Sequence, residues 1–219
     1  QRSDEAAAHP ALTMTDPRTP CTVCGAMILL ATAARNDGLC MPCRNGTRQS
    51  MEMAKTRDRE VREERKRFEE SAEGRHWHWL IEQVHGNGCG FSGLSVQDQR
   101  YFAINALIND VYRGGLDAYF QNSAGGYIAE ALAGLGEMQQ LDVRDIVLAA
   151  QQLLFGNEAM EDHHAQRRLQ IYRADGYLDD EVETALDELD GRFYALVDDG
   201  QLEELLKAYA ERHRLYAAF

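Results

Sequence analysis

The sequence holds no stretch approaching the roughly 18 apolar residues that a membrane-crossing helix needs, and it begins Gln1-Arg2-Ser3-Asp4-Glu5, without the basic-then-apolar layout of a secretory signal. Both absences predict a cytoplasmic protein. The usual signatures of catalysis and nucleotide binding are missing too. There is no Gly-x-Ser-x-Gly, no His-Glu-x-x-His, no calcium loop and no glycine-rich phosphate loop. The glycine pairs near residue 114 lack the preceding strand that a dinucleotide fingerprint requires. No run alternates apolar and polar residues in the way of a half-buried strand, so the expected fold class is all-α.

Cysteine is scarce and unevenly spent. Of five, four form two pairs, Cys21-Thr22-Val23-Cys24 and Cys40-Met41-Pro42-Cys43, with fifteen residues between them. Each Cys-x-x-Cys turn lets two thiolates converge on one cation, and a spacer of this length folds back to complete a tetrahedron. Zn²⁺ suits four soft thiolates in a reducing compartment, where structural disulfides are disfavoured. Gly25 and Gly38 suit the tight turns of such a site. Four cysteine ligands leave no open position for a reacting water, so the expected role is structural. The stretch from Cys21 to about Gly46 resembles small zinc-ribbon or treble-clef-like modules. Cys89 is left over, and no nearby residue marks it as a nucleophile.

The net charge of −13 is concentrated. Residues 1–43 carry three basic and four acidic side chains, residues 44–75 ten and eight, and residues 76–219 ten and twenty-four. A domain this acidic repels phosphate backbones and attracts basic partners. Residues 44–75 net only +2 and interleave no aromatics with their basic side chains, so direct nucleic-acid binding is not expected.

Residues 1–19 show no periodicity and read as a flexible tail. The cysteine module occupies 20–46. Residues 47–75 mix both charge signs with few apolar side chains (Met51, Met53, Val61, Phe68) and read as a solvated helical linker. The acidic helical domain spans 76–219. His76 and His78 are two apart and face opposite sides of a helix, which disfavours a shared metal, while Trp77 and Trp79 are expected to anchor that helix in the core. Ser95 is the expected N-cap of the next helix, with Asp98 at its third position. Tyr101, Ile104, Ile108 and Val111 form its buried stripe, and Asn105 and Asn109 lie one turn apart on an adjoining face. Further helical stripes run through Ile128–Met138, Val143–Leu153, Leu178–Leu196 and Leu202–Tyr216. His163, His164, Arg167, Arg168 and Arg173 read as a surface basic patch. Opposite the Leu178–Leu196 stripe lie Asp179, Asp180, Glu181, Glu183, Asp187, Glu188 and Asp190.

The stretch Tyr112–Gly126 reads as an inter-helix connection, because two glycine pairs bracket two aromatics and an Asn-Ser. Its aromatics and Asn122 are expected to be buried and hydrogen-bonded. Asp117, among glycines and aromatics, is the one carboxylate expected to be buried and perturbed. Within it Gly114, Gly115, Leu116, Asp117, Tyr119, Phe120, Asn122, Ser123 and Gly125 match the pattern Gly-Gly-(Phe/Leu)-Asp-x-Tyr-Phe-x-Asn-Ser-x-Gly. On these residues the segment from about Leu94 to Phe155 resembles a bacterial family of acidic all-helical domains, with Leu116 where phenylalanine is usual. The best-known relatives are DNA-mimic proteins, dimers whose acidic surfaces occupy the DNA-binding face of a repressor or nucleoid protein. The resemblance thus implies a basic DNA-binding or other protein partner and a possible homodimer. The motif residues look like fold-makers, and mimicry would fall to surface carboxylates of the 178–204 region. Two other readings remain open at this stage: an adaptor or immunity-type protein that binds a toxin or enzyme through an apolar-rimmed patch, and an enzyme centred on Asp117, Tyr119 and Asn122.

Overall fold

The computed structural model describes residues 17–219. The expected flexible tail therefore lies mostly outside the described residues, and its end does not fit that reading, because Arg18–Pro20 form a strand. The chain divides into two compact units between Arg67 and Phe68.

The first unit opens with a hairpin. Strand β1 (Arg18–Pro20) pairs antiparallel with β2 (Met27–Leu29), placing Thr19 opposite Ile28. Two short helices follow, α1 (Leu30–Arg35) and α2 (Met41–Arg44), and then the long α3 (Arg48–Glu70). No residue of α3 is buried. Its intermixed Arg, Lys and Glu leave too little apolar surface to form a stripe, so it is a solvated helix.

The second unit is entirely helical among its described residues: α4 (Ala72–His85), α5 (Val96–Gln121), α6 (Ile128–Glu137), α7 (Leu141–Phe155), α8 (His164–Ile171), α9 (Asp180–Val197) and α10 (Gln201–Arg212). Helix α5 is the axis. Ser95 caps it as expected, its hydroxyl oxygen accepting the Asp98 N–H at 3.1 Å. Ile104, Leu107, Val111, Leu116, Tyr119 and Phe120 of α5 are all buried, and α6, α7, α8, α9 and α10 close over them. Each such side chain contributes about 1.5–3 kcal/mol by leaving water. The helix pairs meet through Ala131 and Leu135 of α6, Val147 and Ala150 of α7, Phe193 of α9 and Leu206 of α10.

The connection expected over Tyr112–Gly126 is largely helix. Helix α5 continues to Gln121 and departs from helical angles at Gly115 alone, where φ is +88° and ψ 178°. The true connection is a single 3₁₀ turn, Ser123–Tyr127. Glycine pairs read as helix breakers, but Gly114 stays helical and only Gly115 uses the freedom that glycine offers.

Of the two tryptophans expected to anchor α4, Trp77 packs against the core, half-buried and stacked on Phe102, whereas Trp79 is 37% exposed. The fully buried residue of that helix turn is instead His76, whose Nε2 meets Asp98 at 2.9 Å inside a box of Trp79, Tyr101, Tyr216 and Phe219 rings.

Candidate metal centre and acidic surface

The first cysteine pair sits in the turn between β1 and β2, where the Cys21 N–H donates to the Ala26 carbonyl at 2.9 Å and the Gly25 N–H to that of Cys21 at 2.9 Å. Gly25 and Gly38 both take positive φ, 71° and 79°, so each pair ends or begins at a turn that favours glycine. The second pair opens α2: Cys40 is its N-cap and Cys43 lies one turn on. Folding back brings the four sulfurs within 4.8 Å of one another. Four ligands about 2.3 Å from a tetrahedral zinc stand about 3.8 Å apart, and Cys24 Sγ and Cys40 Sγ are 3.6 Å apart. That separation is far too long for a disulfide. The quartet can hold a metal ion.

Its electrostatics fit a cation. Backbone N–H groups of Cys24 and then Cys40 lower the Cys21 thiol to about 6. Burial works to raise Cys40, but the Cys43 backbone and the Arg48 guanidinium more than offset it, leaving Cys40 lowered. Burial first, and then the neighbouring Cys40 and Cys24 sulfurs, push Cys43 up to about 12. Burial and the neighbouring sulfurs thus hold the Cys43 proton in place, while Cys21 and Cys40 give theirs up more readily. A divalent cation supplies the charge that favours all four as thiolates. Arg48 Nη2 donates to Cys40 Sγ at 3.1 Å, and its Nη1 to Glu52 at 3.1 Å, so the rim is held from α3.

In the helical unit the motif residues go to separate destinations. Tyr119 and Phe120 are fully buried; the Tyr119 hydroxyl has no hydrogen-bond partner among the described residues, contrary to expectation. Asp117 is half-buried and accepts the Tyr172 hydroxyl at 2.6 Å. Asn122 and Tyr112 are exposed, also against expectation; Asn122 Nδ2 donates to Asp110 at 3.2 Å. Ser123 is likewise exposed. Asp117, Tyr119 and Asn122 therefore do not converge on one reacting position. What the motif does build is a joint. At Gly115 an added Cβ would stand 2.4 Å from Asp190 Oδ2, while Asp190 Oδ1 accepts the Leu116 N–H at 2.9 Å. At Gly125 a Cβ would lie 2.8 Å from the carbonyl oxygens of both Tyr119 and Phe120.

A residue that sequence reasoning placed on the surface completes this joint. Arg167 is fully buried. Its Nε donates to the Phe120 carbonyl at 2.8 Å and Nη2 to that of Asn122 at 2.5 Å, while Nη1 reaches Glu161 and Asp162 carbonyls at 2.9 and 2.7 Å. The last carbonyls of α5 lack helical partners and carry the negative end of its dipole, which favours a cation there. The expected basic patch loses its central member.

The acidic face lies on α9. Asp179, Asp180, Glu181, Glu183, Asp187 and Glu188 are all exposed. Asp179 pairs with Arg173 at 3.2 Å. Asp190, grouped with them on helical spacing, instead turns inward to the Gly115 joint. Burial raises its carboxyl, the Leu116 N–H partly offsets this, and the charges of Asp117 and Asp187 add to the rise.

A family model described as DMP19-like protein matches residues 92–213. The match takes in the motif, Arg167 and the acidic helix α9, and leaves out the cysteine quartet and α3. No curated protein and no solved structure matches the chain. Among the described residues no helix is long and apolar enough to cross a membrane.

Proposed function

Because the chain belongs to the DMP19-like family, a DNA-mimic-type family, we propose that it acts without catalysis, by laying exposed carboxylates onto the nucleic-acid-binding face of a basic protein. Helix α9 carries this reading. Asp180, Glu181, Glu183, Asp187 and Glu188 stand exposed on it with no ion-pair partner among the described residues. Residues 178–204 hold eleven carboxylates and one arginine, a net −10. At 1.5 Å per residue, an 18-residue helix is about 27 Å long, the length of roughly eight base pairs and about sixteen duplex charges. The charge of the segment is of that order. Such a field steers a basic partner into contact and competes with nucleic acid for it.

The test is retention of basic nucleic-acid-binding proteins on the immobilised chain. The expected result is capture at 50 mM salt, release by about 200 mM, and displacement by duplex DNA. The triple change Asp180→Lys, Glu183→Lys, Asp187→Lys abolishes capture. Capture that ignores salt and survives the triple change would instead favour an adaptor that docks through apolar contacts. Exposed Val23, Met27, Leu30 and Met41 in the cysteine unit are the side chains such an adaptor would use.

For the cysteine quartet we infer Zn²⁺ in a structural role. Four thiolates are soft ligands, and they close the tetrahedron, so no position is left for substrate. One equivalent of zinc by elemental analysis, lost in Cys24→Ser, is the expected result; iron with visible charge-transfer bands would overturn it. The symmetric dimer that the family resemblance implies predicts twice the chain mass in light scattering.

A further inference from the structure

We propose that a groove crossing α5 receives an arginine and a nearby aliphatic residue from an amphipathic segment of the basic partner. This rests on the reading of the protein as a binder of basic proteins, but on different residues. Two adjoining hollows of about 350 and 280 Å³ share Asn105 and Glu203 and so form one groove. In the smaller, exposed Phe68 and half-buried Trp77 present aromatic surface beside Glu73, with buried Tyr101 beneath. In the larger, Ile108, Val197 and Leu206 make an apolar floor, with Tyr112 and Asp198 at the rim.

The chemistry of the lining selects the occupant. No basic side chain is among the residues that line either hollow. Asn105 and Asn109 each spend an amide N–H on the backbone carbonyl one turn earlier, at 2.8 Å, and leave their amide oxygens to accept. Glu73 already accepts the Tyr101 hydroxyl at 3.3 Å, Asp198 the hydroxyl of Tyr112, and Glu203 the Lys207 ammonium at 2.7 Å. Each carboxylate keeps further acceptor positions, since a carboxylate takes about four hydrogen bonds. In the smaller hollow two carboxylates, Glu73 and Glu203, the two amide oxygens and the aromatic rings together call for a planar cation with many N–H donors. Guanidinium is that group, and it also stacks on aromatic faces. The apolar half then accommodates an aliphatic side chain about one helical turn away on the same segment.

The groove is separable from the acidic face. Asp187, the nearest of the three carboxylates reversed above, precedes Val197 by ten residues, roughly 15 Å along α9. The experiment uses the full chain and a labelled, end-blocked alanine-based peptide that carries one arginine and one leucine a helical turn apart, read by fluorescence anisotropy. The expected result is saturable binding that falls at least tenfold when citrulline replaces arginine, and at least tenfold in Asn109→Arg. It changes less than threefold in the triple α9 reversal. Equal binding of the citrulline peptide overturns the proposal on the unaltered chain, whatever the variants do. Loss in the α9 reversal but not in Asn109→Arg also overturns it, and leaves the mimic reading standing. Spermidine competing as strongly as the peptide itself would mark a polyamine site and overturn the docking segment. If the peptide binds as expected while whole basic proteins show no salt-dependent capture, the groove stands and the mimic reading falls.

Discussion

A guanidinium keeps its proton in any protein interior, so a buried arginine must be surrounded by acceptors or not be buried at all. Arg167 meets the requirement with four carbonyl oxygens, from Phe120, Asn122, Glu161 and Asp162. Arg167→Met would strand the buried Phe120 carbonyl and untie those of Asn122, Glu161 and Asp162, and the expected loss is about 1–3 kcal/mol in urea unfolding. Arg167→Lys should recover little, because one ammonium cannot match a fork that reaches both chain segments. Gly115→Ala combines a φ of +88° with a Cβ 2.4 Å from Asp190, so a loss of about 1–3 kcal/mol is expected; Gly114→Ala, in helical backbone, meets the Ala118 Cβ at 2.8 Å but carries no backbone strain. The sequence marks both glycines as unusual but cannot say which one leaves the helix. Arg167 was illegible for a plainer reason. His163, His164 and Arg168 surround it in the chain, and its acceptors at Phe120 and Asn122 lie 47 and 45 residues away.

At the level of elements, the two ends of α5 respond to acid in opposite senses. Burial alone would raise Asp98 at its N-terminus, but hydrogen bonds from His76 and Ser95, and the charge of His76, hold it below the usual carboxylate range. A carboxyl lowered in the fold stabilises above its unfolded value near 4, and that contribution is lost as pH falls through the folded value. Asp98→Asn should therefore be less stable than the parent at pH 7, with the difference shrinking below pH 4 in urea midpoints. Asp190, at the kink, is raised, so its ionisation opposes folding as pH climbs from near 4 through the folded value. Asp190→Asn still offers an acceptor to the Leu116 N–H, and it should flatten that loss of stability. The N-terminal device was legible, since Ser95 and Asp98 are three apart at the start of an apolar stripe. Asp190 was not: helical spacing assigns it to the acidic face, and only the close approach at Gly115 draws it inward.

For the molecule as a whole, the helical architecture of the acidic unit and the convergence of the cysteines followed from periodicity and spacing, two signals that are local in the chain. The Gly115 joint and the groove across α5 depend on packing between distant segments, which no local pattern encodes. Zinc removal should act on one unit only. A strong chelator is expected to abolish ordered structure around the quartet while the helical unit, which has its own core, keeps its circular dichroism and its unfolding midpoint. An effect on that midpoint would show the units to be thermodynamically coupled. Helix α3 adds a last consequence. It buries none of its 23 residues, and so it lacks the tertiary packing that supplies most of a helix's stability in a protein. Its backbone should open and close far more often than that of α5. Lys55, Arg57, Arg59, Arg62 and Arg65 lie along it, so trypsin has a series of cleavage sites in the least protected segment. Brief digestion should nick the chain there first and leave a resistant fragment that begins near Phe68 and retains the whole acidic domain.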